Sequence, residues 1–385
     1  MRVLISAGEA SGEFYGAELM KALRRQAAED LHGENIEFFG VGGEQMRNAG
    51  CELLADAREI AEVGIVEVIR HIPIIYRRFR QVVREARQRR PDAAVLIDFP
   101  DFNLRLAREL HRLRVPVVYY VSPQLWAWKQ RRVERVRRYV RQMVVIFPFE
   151  EKFYRECGVA ATFVGHPLAD RPQPAISREE FAGAYQLDPG RQWIALLPGS
   201  RRAEVSRIFP VLLAAAQLLG PDYVYTVPVA STLNPAWMAS FLRRYPHLPI
   251  TLTHDARATL RHATAAAVAS GTATLEAALI GTPFVMVYRV APLTWAAGRR
   301  LIKVDRFAMV NLIAERDVVH ELVQSEFTPE SLRDELRRII PAGAVREAMV
   351  EGFCEVRRRL QPVHADRSAS DRAARAVLSV MRQPV

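Results

Sequence analysis

The sequence predicts an α/β protein made of two doubly wound parallel-sheet domains followed by a helical tail. Three observations predict it. Short β-branched runs alternate with helical patterns along most of the chain, the mark of parallel strands covered by helices on both faces. A polar, proline-rich segment, RPQPAIS at 171–177, interrupts that rhythm midway and reads as a linker. From about Pro329 the pattern is wholly helical, with Arg and Glu on the outer faces. The expected divisions are 1–170, 171–340, and a tail at 341–385 that packs back on the N-terminal domain.

The elements follow in order. RVLISA at 2–7 leads to a helix near 14–28, IEFFGVG at 36–42 to one near 43–49, and AAVLIDF at 93–99 to one near 103–113. VPVVYYVS, MVVIFPF and ATFVG continue the series up to Gly165. The second series has WIALLPGS, DYVYTVPVA, LPITLTH, AAAVASGT and PFVMVYRV as strands, with helices near 203–219, 234–245 and 273–280. At 385 residues, half of them hydrophobic, the chain exceeds one core and fills two domains of roughly 150 to 200 residues.

Composition narrows the function. No apolar run approaches the roughly 18 residues of a membrane span, and the stretch Val3–Ala7 meets Glu9 too soon for a signal peptide, so the chain is expected in the cytoplasm. Cys51, Cys157 and Cys354 show no CxxC spacing, which argues against a disulfide framework and a zinc site; they read as reduced thiols. The net charge of +11 calls for an anionic partner: nucleic acid, a phospholipid surface or a phosphorylated substrate. An RRM or KH signature is absent, and nucleic acid is not expected.

The first strand enters AGEASGEFYGA, with Gly8, Gly12 and Gly16 four apart. This is not the GxGxxG fingerprint, and Glu9 and Glu13 would repel a pyrophosphate at that helix start, so a nicotinamide or flavin site is rejected. Glu9 with Ser11 suits a sugar's hydroxyls; the plainer alternative is a tight turn whose acids complement the helix dipole. In IDFPDFN, Asp98 and Asp101 emerge at the carboxyl end of a strand, where ligands gather. Asp98 is the better general base toward a hydroxyl and Asp101 the better helix cap. Ser122, Pro123, Trp126 and Trp128 form an aromatic turn ahead of an arginine-rich helix, and either sugar contacts or core packing would account for them.

In the second half, LLPGSRRAEV sets Gly199, Ser200 and Arg201 between a strand and a helix. Backbone amides with a guanidinium make a site for a diphosphate, whose charge grows as it departs. The GK[ST] of a Walker loop is missing. SGTATLEAAL repeats the arrangement with Ser270, Gly271 and Thr272, and Glu276 lies where a carboxylate can take both ribose hydroxyls. His166 in GHPLAD suits a local hydrogen bond better than a ligand or hinge contact. The segment 65–90, apolar and then dense in arginine at Arg77, Arg78, Arg80, Arg84 and Arg87, fits either an anionic membrane surface or a core helix with a charged outer face.

Taken jointly, AGEASGEFYGA, VGIVEV, IDFPDFN, YVSPQLWAWKQRRV, FVGHPLAD, LLPGSRRAEV, ASGTATLEAAL and NLIAER resemble the lipid-A-disaccharide synthase family, in its order and across nearly the whole chain. The resemblance implies a B-type glycosyltransferase fold of two Rossmann-like domains facing a cleft. It also implies an inverting transfer: UDP-2,3-diacylglucosamine and 2,3-diacylglucosamine 1-phosphate give the β-1,6 disaccharide 1-phosphate and UDP. Asp98 falls on the family's base, Glu9 on its first-loop acid and Arg201 on the arginine at the donor diphosphate. UDP is expected against Gly199, Ser200, Arg201, Ser270, Gly271, Thr272, Glu276 and Asn311. The acceptor is expected against Gly8, Ser11, Gly12, Asn103, Ser122 and Trp126. In this reading catalysis uses no metal and no cofactor, and segment 65–90 rests on the inner face of the cytoplasmic membrane. The helical tail can close on its own chain or on a second copy, which leaves a homodimer open.

The sequence departs from the family at Glu13, Gln124, Met309, Val310 and Glu315, the last standing where glycine is frequent. A UDP-sugar 2-epimerase of the same architecture is the nearest rival reading, and a non-catalytic protein binding anionic surfaces is the rival from another class.

Overall fold

A computed structural model describes residues 1–8, 10–30, 35–57, 68–126, 130–292, 295–296, 306–362 and 366–382. The chain divides into two units, Met1–Asp170 with Leu360–Val385, and Arg171–Arg359. The first holds a parallel sheet of β1 (Arg2–Ala7), β2 (Glu37–Gly42), β3 (Cys51–Asp56), β4 (Ala93–Ile97), β5 (Val117–Tyr120), β6 (Gln142–Val145) and β7 (Ala161–Phe163), ordered β3-β2-β1-β4-β5-β6-β7. Its helices are α1 (Ala10–Asp30), α2 (Glu44–Asn48), α3 (Val68–Arg89), α4 (Pro100–Arg112), α5 (Val133–Tyr139) and α6 (Pro148–Glu156).

The second unit repeats the plan. Strands β8 (Trp193–Leu197), β9 (Val224–Pro228), β10 (Ile250–Thr253), β11 (Ala265–Ala269), β12 (Phe284–Tyr288) and β13 (Glu321–Val323) are parallel and ordered β10-β9-β8-β11-β12-β13. Helices α7 (Arg178–Tyr185), α8 (Arg202–Leu219), α9 (Pro235–Leu242), α10 (Ala256–His262), α11 (Thr272–Ile280), α12 (Met309–Ala314), α13 (Pro329–Ile339) and α14 (Ala344–Arg359) belong to it. Every residue of AAVLI in β4 and of AAAVA in β11 is buried, as the centre of a sheet covered on both faces requires.

In each sheet the winding reverses beside its first strand. β1 has β2 on one side and β4 on the other; β8 stands likewise between β9 and β11. Ligands of such sheets bind outside the strands' carboxyl ends at that reversal. Register pairs Ala7 with Ile97, so Gly8 and Asp98 leave the sheet side by side. It pairs Leu197 with Val268, which brings Gly199–Arg201 and Ser270–Thr272 off neighbouring strands.

The tail corrects an expectation. Residues 341–359 do not return to the first unit, because α14 completes the second unit's core. Phe353 stacks on Phe284 with ring centroids 5.7 Å apart, and Arg357 donates to the Leu279 carbonyl. Only from Leu360 does the chain rejoin the first unit, where α15 (Ala369–Arg382) packs on α1. There Arg25 pairs with Asp371 at 2.7 Å, and Gln26 Nε2 donates to the Asp371 carbonyl at 2.7 Å.

His166 lies beside that return. Its Nδ1 accepts from the Leu168 N–H at 3.2 Å, and its backbone N–H donates to the Leu360 carbonyl at 3.0 Å. Burial pushes its pKa down to about 3, so the ring is neutral and serves local packing against Tyr15. Among the described residues no helix is long and apolar enough to cross a membrane.

Candidate active site

The carboxyl end of β4 is strained. Asp98 and Phe99 both adopt left-handed backbone conformations, φ 44° and 50°, and Val121 beyond β5 has φ 60°. Each such residue costs on the order of 1–3 kcal/mol and persists only where its surroundings over-determine it. They do so here. The Asp98 N–H is shared between the carbonyls of Tyr120 and Val121, at 3.3 and 3.2 Å. Its carbonyl accepts from Tyr119 Oη at 2.6 Å and from Asn103 Nδ2 at 2.9 Å. Burial, with the Asp98 charge adding to it, raises the Tyr119 pKa far above its usual value and keeps that hydroxyl a donor.

The other residues expected around the acceptor fall into two groups. Gly8 lies against the Phe99 ring, and a Cβ there would overlap ring carbons at 2.3 Å, so only glycine lets the first loop pass beside Asp98. Ser11 is half-buried and Gly12 buried in the first turns of α1. Glu9 and Trp128 lie outside the described residues. Asn103 turns inward and is fully buried. Its amide donates to the carbonyls of Ser6, Ile97 and Asp98, and its Oδ1 accepts from Ser6 Oγ at 2.7 Å. It ties β1 to β4 and offers a sugar nothing.

Ser122 is spent in the same way: its buried hydroxyl bonds the Pro123 carbonyl at 2.8 Å and Tyr154 Oη at 2.7 Å. Asp101 does not cap the helix that follows. Phe99 is the N-cap, Pro100 opens the helix, and the exposed Asp101 pairs with Arg132 at 2.6 Å.

Sequence reasoning missed Glu150. It is buried at 1% exposure, accepting from Trp126 Nε1 at 3.2 Å and from the Phe147 N–H at 3.2 Å. Trp126 therefore turns its indole N–H into the protein. Burial pushes the Glu150 pKa up to about 8, against hydrogen bonds that pull it down. From about pH 4.5 to about pH 8 the folded state holds a proton that the unfolded state releases. This contribution is full below that window, falls as pH rises through it, and amounts to a few kcal/mol. Denaturant midpoints at about pH 6 and about pH 9 measure it. Glu150→Gln is expected to flatten the fall, and an undiminished slope in the variant would assign it to another group.

In the second unit the turn after β8 carries the anion-binding features. Gly199 has φ 108°, and Arg201, exposed, is the N-cap of α8 without a side-chain cap bond. Thr232 Oγ1 ties the exposed Ser200 through its carbonyl at 2.7 Å. The Glu204 carboxylate sits over Gly199; burial raises its pKa, while the Arg201 charge and the backbone of Ser200 and Arg201 oppose the shift.

After β11, Gly271 has φ 142°, Thr272 opens α11 and is exposed, and Ser270 Oγ donates to the Phe307 carbonyl at 3.3 Å. Glu276, one turn on, faces Arg171 at 3.4 Å. Burial raises its pKa, while Arg171 and Arg257 oppose the shift. The Arg171 guanidinium, on one carboxylate oxygen, gives Glu276 a direction in which to accept hydroxyls.

Asn311 lies away from this turn in its function. It is fully buried; Nδ2 donates to the Val319 carbonyl at 2.9 Å and Glu321 Oε1 at 2.8 Å, and Oδ1 accepts from the N–H groups of Val318 and Val319. Both ends of the amide are consumed in fastening α12 to β13, so Asn311 shapes the loop and does not reach for UDP.

A sequence model of the lipid-A-disaccharide synthetase family matches residues 3–370. The chain belongs to the lipid-A-disaccharide synthase family. It is 55% identical over 384 residues to the lipid-A-disaccharide synthase of Koribacter versatilis, covering 100% of this chain and 99% of that one. It is 50% identical over 371 residues to that of Acidobacterium capsulatum, covering 93% and 91%.

Among solved structures, the calicheamicin glycosyltransferase CalG4 superposes with a TM-score of 0.60 at 16% identity, covering 99% of this chain and 98% of that one. The UDP-GlcNAc 2-epimerase of Neisseria meningitidis, bound to UDP-GlcNAc, does so at 0.62 and 10%, covering 100% of each. These neighbours share the B-type glycosyltransferase fold, and the family makes this chain a glycosyltransferase of lipid A biosynthesis.

Two departures from the family's usual residues have local reasons. Glu13 accepts from the Gln45 N–H at 2.5 Å and so caps α2. Glu315 ends α12 at φ 59°, a conformation that glycine adopts without cost.

Proposed function

We propose that this chain carries 2,3-diacylglucosamine from UDP-2,3-diacylglucosamine to the 6-hydroxyl of 2,3-diacylglucosamine 1-phosphate. Asp98 takes the hydroxyl proton, and the oxygen bonds the donor's anomeric carbon on the face opposite UDP. The bond from that carbon to the β-phosphate oxygen breaks, its electron pair leaves with UDP, and the new link is β-1,6. The observation that carries the reading is the over-determined, strained Asp98 at the sheet reversal. Strain held this tightly at a carboxylate is characteristic of residues whose direction matters to chemistry.

The second unit contributes the donor half. Arg201 and the amides of the Gly199–Arg201 turn face the diphosphate, whose charge grows as the sugar leaves. Glu276 accepts from the ribose hydroxyls, with Ser270, Gly271 and Thr272 at the opening of α11 beside it. Glu9, Gly8, Ser11 and Gly12 border the acceptor's sugar. The epimerase reading shares the fold but is not favoured by the family.

The deciding experiment follows UDP release and disaccharide formation by the purified protein, with and without the acylated glucosamine 1-phosphate. Product that depends on the acceptor supports the reading. UDP-sugar consumed at equal rates without acceptor points to epimerase-type chemistry instead.

Both substrates carry acyl chains, and α3 offers a surface for the bilayer that holds them. Tyr76 is 59% and Ile74 39% exposed, beside Arg77, Arg80, Arg84 and Arg87. The part of segment 65–90 before Val68 lies outside the described residues. Each basic residue near an anionic surface adds on the order of 1 kcal/mol. The protein is expected to sediment with vesicles containing phosphatidylglycerol, to be released by high salt, and to bind several-fold less as Arg77→Glu/Arg84→Glu. Equal binding to vesicles of phosphatidylcholine alone would remove this face from the account.

A further inference from the structure

The donor turn already holds an anion. Glu204 is the third residue of α8 after the N-cap Arg201, and the backbone of both Ser200 and Arg201 favours its charged form. A Cβ built on Gly199 would overlap the Glu204 carboxyl oxygen at 2.1 Å, so the carboxylate lies directly over the turn. The Arg201 guanidinium acts on Glu204 through its charge, and both groups act on the Tyr288 hydroxyl at the end of β12. These amides and this guanidinium are the groups assigned above to the donor diphosphate.

A glutamate at this helix position ordinarily reaches back to the N-cap N–H and does no more. Here the turn has a second fastening through Thr232 to the Ser200 carbonyl, so it does not depend on the carboxylate alone. A carboxylate and a diphosphate on the same two amides repel each other, and one must give way.

We propose that Glu204 is the resident anion of the donor site, holding the Ser200 and Arg201 amides while the site is empty and yielding them to the diphosphate. It returns as UDP departs, which weakens the hold on the product. The proposal rests on the reading that the second unit binds UDP.

Calorimetric titration of UDP and of uridine into wild type, Glu204→Gln and Glu204→Ala tests it. Gln keeps an acceptor for the amides but carries no charge. Removing a like charge at this distance is expected to tighten UDP about tenfold in Glu204→Gln, leave uridine unchanged and lower kcat as UDP leaves more slowly. Glu204→Ala, which lacks the cap as well, still gains affinity for UDP relative to uridine.

UDP binding that is unchanged or weaker in both variants overturns the proposal and makes Glu204 a helix cap. Weakening of UDP and uridine together, with a lower melting temperature, overturns it equally. A wild type that binds neither ligand is a different failure: it removes the donor assignment of the second unit itself.

Discussion

Asp98→Asn is expected to lower turnover by about 10²–10⁴-fold while the melting temperature and the affinity for UDP stay at their wild-type values. The reason lies in which atoms of Asp98 the fold uses. The hydrogen bonds that hold its left-handed conformation run through its main-chain N–H and carbonyl, to Tyr120, Val121, Tyr119 and Asn103. Asparagine keeps all of them and adopts positive φ more readily than most residues. The substitution therefore removes the proposed base while these main-chain bonds remain. In the proposed reading UDP binds the second unit, so its affinity should not change. A variant retaining more than a tenth of wild-type turnover would exclude Asp98 as the base and turn attention to the first loop. A lowered melting temperature would mean that the carboxylate also supports the fold.

The contrast with Asn103 sharpens this expectation. Asn103 sits five residues on, in the same motif, yet its whole amide is committed to Ser6, Ile97 and Asp98. Its replacement should cost stability and activity together, because β1, β4 and the Asp98 carbonyl lose a common tie.

From the sequence, IDFPDFN reads as a strand end followed by a helix, and Asp98 as the candidate base. The division of labour inside the motif does not. The conformations of Asp98 and Phe99 are imposed by Tyr119, Tyr120 and Val121, about twenty residues away, and no local pattern encodes those bonds. Asn311 is misread for a similar reason: a polar residue in a motif gives no sign of whether its amide faces a ligand or, as here, Val319 and Glu321.

Alternation of strands and helices made both sheets legible except for β3 and the three-residue β13, which the sequence reading did not expect. Which unit α14 joins was not legible, because Phe353 on Phe284 and Arg357 on Leu279 are long-range contacts. Glu150 was hidden by its context, FPFEEKF, where two adjacent glutamates look like an exposed helix start although one of them is buried against Trp126. Glu204 stood inside LLPGSRRAEV in plain view, but only the backbone places its carboxylate over Gly199.

Arg201→Ala is expected to reduce kcat/KM by about 10²–10³-fold, again with the fold intact. The start of α8 has no side-chain cap bond from Arg201 to lose. A UDP-sugar carries less negative charge on its diphosphate than free UDP does, and the transition state lies between them. A guanidinium at the departing charge therefore stabilises the three unequally. The variant should lose most affinity for UDP and least for UDP-sugar; kcat/KM should fall by an intermediate factor and kcat by the smaller amount by which the transition state loses more than the bound UDP-sugar. Arg201→Lys keeps the charge without the planar fork and should recover only part of the loss. Equal weakening of UDP and UDP-sugar with kcat unchanged would mean that Arg201 binds ground and transition states alike, leaving the amides of Ser200 and Arg201 to meet the departing charge.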